Sequence, residues 1–278
     1  MVLKNLLVIV DASEDAATRI DAAVALAKVH DAQLVGLHVG MPPPLPPIVA
    51  TQFSEPARQA LLASVRRAAE HSERLFRERT EEQGVHTVWR HAEGDAAAIA
   101  SLHARYADLV IAGQPNPKVD EVDVRTRFLA HLVMAAGRPV VVVPHGARPE
   151  RIGDRVLVAW NASREAARAL NDALPMLEKA SDVLVVSVNP APGGPSGVMY
   201  ASHDIAHNLL GHGVKAHHER ISEYDKAAGE VLLARAADYG ADLLVMGAYG
   251  HTRFREIILG GATRHVLRHT TIPVLVSH

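Results

Sequence analysis

The chain has 278 residues, 48% hydrophobic and 22% charged, with a formal net charge of -2. That balance suits a soluble globular protein of one large or two ordinary domains, excludes disorder, and offers no basic field for nucleic acid or apolar span for a membrane. No cysteine is present, which excludes disulfides and thiol catalysis and fits a reducing cytoplasm.

Residues 6–10 are a continuous apolar run, as in a parallel strand covered on both faces. The run is brief and meets Asp11, Glu14 and Asp15 directly, so the start reads as a strand, not a signal peptide or anchor. Residues 11–13 turn the chain, with Ser13 or Asp15 as cap, and 16–29 have helical apolar spacing. A second strand is predicted over 34–39. The proline-rich residues 41–47 then fit neither helix nor inner strand and form an extended, semi-rigid loop.

From 56 to 83 an amphipathic helix sets Leu61, Leu62, Val65, Leu75 and Phe76 against Arg66, Arg67, Glu70 and Glu73. A strand over 85–89, a helix over 95–106, a strand over 109–112, a helix over 128–136 and a strand over 140–143 follow. Residues 144–154 are polar with proline and glycine, which suits a linker. The pattern then restarts: strand 156–160, helix 164–179, strand 183–188, helix 198–210, strand 214–220, helix 226–239, strand 243–246, a helix to 269 and strand 274–277.

The halves superimpose in sequence. Asp11-Ala12-Ser13 matches Asn161-Ala162-Ser163, residues 107–113 match 241–247, and Arg138-Pro139-Val140 matches Ile272-Pro273-Val274. Such a repeat sets two domains, at 1–148 and 151–278. Repeated strand–helix units imply parallel strands joined by right-handed crossovers, hence an α/β fold of two Rossmann-like doubly wound domains. Each is expected to hold a five-stranded parallel sheet flanked by helices, with a ligand crevice between its first and fourth strands.

One stretch organises the second copy. The apolar strand ending in Met246 and Gly247 meets a turn with Tyr249 and Gly250, then a charged loop (His251, Arg253, Arg255, Glu256), then Gly260 and Gly261 opening a helix. A helix start offers unpaired N–H groups and the positive end of the dipole, and glycine lets an anion approach them. The G-x2-G-x9-G spacing, followed by a helix and residues 272–276, resembles the nucleotide-binding signature of the universal stress proteins, and the resemblance spans the chain as two copies.

The resemblance implies an ATP or other adenine-nucleotide site in the second copy. It carries Ala159, Trp160 and Asn161 to the adenosine side, Val188 to the base pocket, and Gly247, Gly250, Gly260, Gly261, Ala262 and Thr263 to the phosphates, with Met246 and Tyr249 beside them. Two positions depart from the family pattern: Asn161 stands in place of aspartate and Gly261 in place of serine or threonine. Asn161 still accepts through its amide oxygen. Gly261 loses one hydroxyl, for which Thr263, Arg253 or Arg255 compensates. In the first copy Asp11 and Gly113 remain, but Asn116, Thr126 and Arg127 replace Gly250, Gly260 and Gly261, and Pro115 and Pro117 stiffen the turn. That copy is expected to bind no triphosphate.

The seventeen histidines raise the question of metal. His203 and His207 stand one turn apart with His212, His217 and His218 nearby, but no carboxylate or cysteine completes a zinc spacing, so a solvated face is the expectation. His269, one turn after His265, is read as a helix cap. No nucleophile elbow or Walker lysine appears. The reading is therefore a nucleotide-responsive, non-enzymatic module, with a slow ATPase or phosphotransfer protein using His251, or an adaptor without nucleotide, as alternatives. The family's pairing through its last strand implies an internal pseudo-dimer, with a further homodimer left open.

Overall fold

The computed structural model describes residues 2–40, 54–115, 122–147, 151–189, 198–248 and 260–278. The proline-rich loop, Asn116, Pro117, Tyr249, Gly250 and residues 251–259 lie outside the described residues.

The first copy runs β1 (Asn5–Ile9), α1 (Ala16–His30), β2 (Gln33–Gly40), α2 (Glu55–Thr80), β3 (Thr87–Glu93), α3 (Ala96–Ala104), β4 (Leu109–Gly113), α4 (Val122–Ala135) and β5 (Val140–Val143). The second runs β6 (Arg155–Ala159), α5 (Arg164–Leu177), β7 (Asp182–Val188), α6 (Val198–Gly211), β8 (Ala216–Ile221), α7 (Ala228–Tyr239), β9 (Leu243–Gly247), α8 (Gly261–His269) and β10 (Val274–Ser277).

Within each copy all strand pairs are parallel, in the orders β3-β2-β1-β4-β5 and β8-β7-β6-β9-β10. The two sheets are not separate. β5 and β10 pair antiparallel, with Leu275 opposite Val141, and fuse them into one ten-stranded sheet. The expected pairing through last strands is thus made within the chain. Gln114 adds a second tie, donating from Nε2 to the Leu267 carbonyl at 2.9 Å and accepting from the His145 N–H at 2.8 Å.

The continuous apolar runs of the inner strands follow from two-faced burial. In β1, Leu6 and Val8 face the layer of α1 and α2 while Leu7 faces that of α3 and α4, and each is 1% exposed or less. Each such side chain contributes about 1.5–3 kcal/mol on burial. The Ala-Asp-Leu sequence shared by the copies also has a structural reason. Asp108 accepts from the Lys4 and Asn5 N–H groups at 2.8 and 2.9 Å, and Asp242 from those of Gly153, Asp154 and Arg155 at 2.8–3.2 Å, so each carboxylate fixes the entry to its copy's first strand.

Most elements fall within a few residues of their sequence-based bounds, and three of the shifts have a clear reason. β3 and β8 lie further along than the apolar residues suggest because they are the outer strands, where Arg90, His91, His217 and Glu219 face solvent or half-buried positions. α4 starts at Val122 rather than 128, because Asp123 and Arg125 break the apolar repeat that marks its later turns.

Candidate functional site

The strand order reverses between β6 and β9, and their carboxyl ends open onto a cavity of about 270 Å³. The size is near the lower end for small-molecule sites. Ala159, Trp160 and Asn161 enter it from the end of β6, Val188 from β7, Met246 and Gly247 from β9, and Gly260, Gly261, Ala262 and Thr263 from the start of α8. Ten of the twelve residues singled out from sequence therefore line one cavity, and the other two, Tyr249 and Gly250, are outside the described residues.

Six more lining residues escaped the sequence reading. Val186 stands two before Val188 on the same strand face, a signal that period two offers. Ser163, Glu165 and Ala166 form the first turn of α5, and Ser163 caps it by accepting from the Ala166 N–H at 3.1 Å. Ala228 and Leu232, one turn apart on α7, complete the wall and belong to no motif.

The start of α8 presents backbone donors to the cavity. Gly260 caps it without a side chain, the Arg264 N–H bonds the Gly260 carbonyl at 2.9 Å, and the N–H groups of Gly261, Ala262 and Thr263 meet no acceptor among the described residues. Three donors at the positive end of a helix thus face one cavity. Thr263 is turned toward the end of β9. It is 4% exposed, and its Oγ1 points to the Gly247 carbonyl at 3.5 Å, tying the helix start to the strand end.

The glycines serve different ends. A β-carbon on Gly247 would lie 2.5 Å from the Glu165 carbonyl carbon and 2.6 Å from the Ala166 nitrogen, so this glycine is required by the packing of β9 on α5. At Gly261 a β-carbon meets nothing within 4 Å, so a side chain is sterically acceptable there. Gly229 of α7 is again a packing glycine, whose β-carbon would come within 2.8 Å of the Ala262 carbonyl oxygen.

Asn161 uses its amide oxygen on the Ser163 N–H at 3.1 Å, which makes the turn and leaves its NH2 as the free donor. Ala162 beside it holds a left-handed φ of 57°. The Trp160 Nε1 is buried with no hydrogen-bond partner among the described residues, and such a donor calls for an acceptor. Glu165 is the one carboxylate lining the cavity among the described residues. A bond from its own backbone N–H, opposed by burial and aided by Arg164 and His278, holds it below the usual glutamate range.

In the first copy the Arg19 guanidinium lies between the ends of β1 and β4. Arg19 stands where the second copy has Ala169, is 3% exposed, and donates from Nη1 to the Ile9 carbonyl at 2.7 Å and from Nη2 to Asp11 and Ser13 at 3.2 Å. Burial alone would raise the Asp11 carboxyl, but the Arg19 guanidinium and the Ser13 hydroxyl outweigh it and hold it well below its ordinary value. Thr126 and Arg127, which stand where the second copy has Gly260 and Gly261, lie inside α4, whereas Gly260 caps α8 and Gly261 opens it.

Among the described residues no group of three or more histidine, aspartate, glutamate or cysteine side chains is placed to hold a metal. His207, His212 and His217 are exposed, His218 bonds the Ser187 hydroxyl at 3.1 Å, and the side chain of His203 lies outside the described residues. His269 donates to the His265 carbonyl at 2.9 Å in the last turn of α8. None of the described helices is long and apolar enough to cross a membrane.

Comparison with known proteins gives the family. The chain shares its fold with the universal stress protein of Archaeoglobus fulgidus DSM 4304, at 18% identity and a TM-score of 0.77, covering 98% of this chain and 95% of that one. A universal stress protein of Pseudomonas aeruginosa UCBPP-PA14 is similar at 20% identity and a TM-score of 0.59, covering 99% and 93%. Universal stress protein Slr1230 of Synechocystis is 48% identical over 48 residues, which span 17% of each chain. The model of the Universal stress protein family matches twice, at residues 3–144 and 153–278, and the chain therefore belongs to that family as a tandem member.

Proposed function

We propose that the chain binds an adenine nucleotide in the second-copy cavity and acts in stress response as a nucleotide-responsive binding module. The observation that carries this reading is the start of α8, where three N–H groups without acceptors among the described residues line a cavity at the carboxyl ends of β6 and β9. Phosphate oxygens accept from Gly261, Ala262 and Thr263, and the base lies against Val186, Val188 and Leu232. The Asn161 NH2 and the Trp160 Nε1 supply further donors. No described side chain lining the cavity is hydrogen-bonded as a nucleophile to a base, which favours occupancy over turnover as the working signal.

In the first copy Thr126 and Arg127 lie within α4, and Asp11 is committed to Arg19. One nucleotide per chain is expected.

Calorimetric titration of the whole chain with ATP, beside Gly261→Asp, tests the reading. The new carboxylate has room and sits favourably at a helix start, so the fold is kept while phosphate is repelled. A loss of affinity of roughly tenfold or more with an unchanged melting temperature is expected. Equal affinity in both proteins sinks the proposal.

A further inference from the structure

A second cavity, of about 290 Å³, lies where the two copies and their linker meet. Leu26, Val29 and His30 come from the end of α1, Arg151, Ile152 and Asp154 from the linker, and Met176 and Lys179 from the end of α5 and just beyond. Leu26 and Met176 hold matching positions in the two copies, as do Val29 and Lys179. The ends of the two equivalent helices therefore converge on this cavity.

Its walls divide by chemistry. Leu26 and Met176 are 1% and 2% exposed and form an apolar floor with Ile152 and Val29. Lys179 and Arg151 supply two exposed cations, and Asp154 pairs with Arg151 at 3.5 Å. His30 is 7% exposed, so more than nine-tenths buried, yet its imidazole has no hydrogen-bond partner among the described residues. Its ring nitrogens are not among the fully buried unpartnered atoms and so remain open to a ligand at the cavity wall. Asp31, next in the chain, is turned out to solvent and bonds Lys4.

The cavity does not belong to the candidate nucleotide site. α5 has its first turn at that site and its far end here, 14 residues on, or about 20 Å along the helix.

We propose that this cavity is a second ligand site, for a small organic anion with a compact apolar body of the benzoate class. The carboxylate is held by Lys179, Arg151 and the His30 imidazole, and the ring lies on Leu26, Met176 and Ile152. Such a ligand touches both copies and the segment that joins them.

Benzoate, with inorganic phosphate as the charge-only control, is titrated into the whole chain while the His30 imidazole is followed by NMR. Saturable benzoate binding with a Kd on the order of 1 mM, with phosphate at least several-fold weaker, is expected. Burial and Lys179 hold His30 down at about 4, and a bound carboxylate raises it, so benzoate affinity increases as the pH falls from 7 to 5. Lys179→Gln, an exposed change, weakens benzoate severalfold, and His30→Gln removes the pH dependence while keeping a donor. Gly261→Asp, at the other site, leaves benzoate binding unchanged. Absence of saturable binding, equal binding of phosphate, or loss of benzoate binding in Gly261→Asp would each overturn the proposal.

Discussion

Gly247 lies so close to Glu165 that a β-carbon on the glycine would stand 2.5 Å from the glutamate's carbonyl carbon. The obstruction is backbone, which cannot swing aside as a side-chain end can. Gly247→Ala should cost about 1–3 kcal/mol by overpacking, seen as a lower melting temperature without any nucleotide present. A variant that melts like the parent but loses ATP would instead assign the glycine to the ligand alone.

Gly261 makes the opposite case. Its β-carbon direction is open, so Gly261→Ser restores the hydroxyl that the family resemblance associates with this position. One added bond to a charged phosphate is worth about 1.5–3 kcal/mol, or roughly tenfold or more in affinity. ATP titration of this variant reads the gain directly, and no gain would mean that the phosphates do not reach the start of α8.

Glu165 is ionised at neutral pH and lines the same cavity. Glu165→Gln should tighten ATP severalfold at low salt, with the difference shrinking as salt screens it. A salt-independent difference would point to packing instead.

Arg19 and Asp11 answer for the first copy. Arg19→Ala leaves the carboxylate without its partner and should cost about 2 kcal/mol at pH 7, a value discounted because Asp11 is 42% exposed at its side chain. The folded Asp11 carboxyl lies below its unfolded value of 3.8, so its contribution is complete above that pH and is lost as the pH falls through the folded value. Denaturant unfolding at pH 7 and pH 3 should therefore separate the parent from the variant more at the higher pH. ATP stoichiometry should remain one in both.

His30 acts in the same direction from an opposite cause, since burial and Lys179 rather than a favourable partner depress it. It is neutral in the folded chain down to about 4 and takes its proton near 6.5 when unfolded. Unfolding thus gains a proton within that window, and stability falls as the pH drops through it, by roughly 3 kcal/mol in all. His30→Leu should flatten the denaturation midpoint between pH 6.5 and 4, and an unchanged slope would show that His30 is not the group responsible.

The sequence by itself determined the strand–helix alternation, the repeat and the motif that gathers Gly247, Gly260, Gly261, Ala262 and Thr263. These are local: apolar runs fix buried strands, and a glycine pair before an apolar repeat fixes a helix start. Only the tertiary structure decided that Gly247 answers to the backbone of α5, that Thr263 turns to a carbonyl, and that Arg19 lies between the ends of β1 and β4. It also decided that Leu232 walls one cavity and that His30 and Lys179 share another. Those relations join residues far apart in the chain, and what a side chain meets across a sheet depends on how layers pack, which no local pattern encodes.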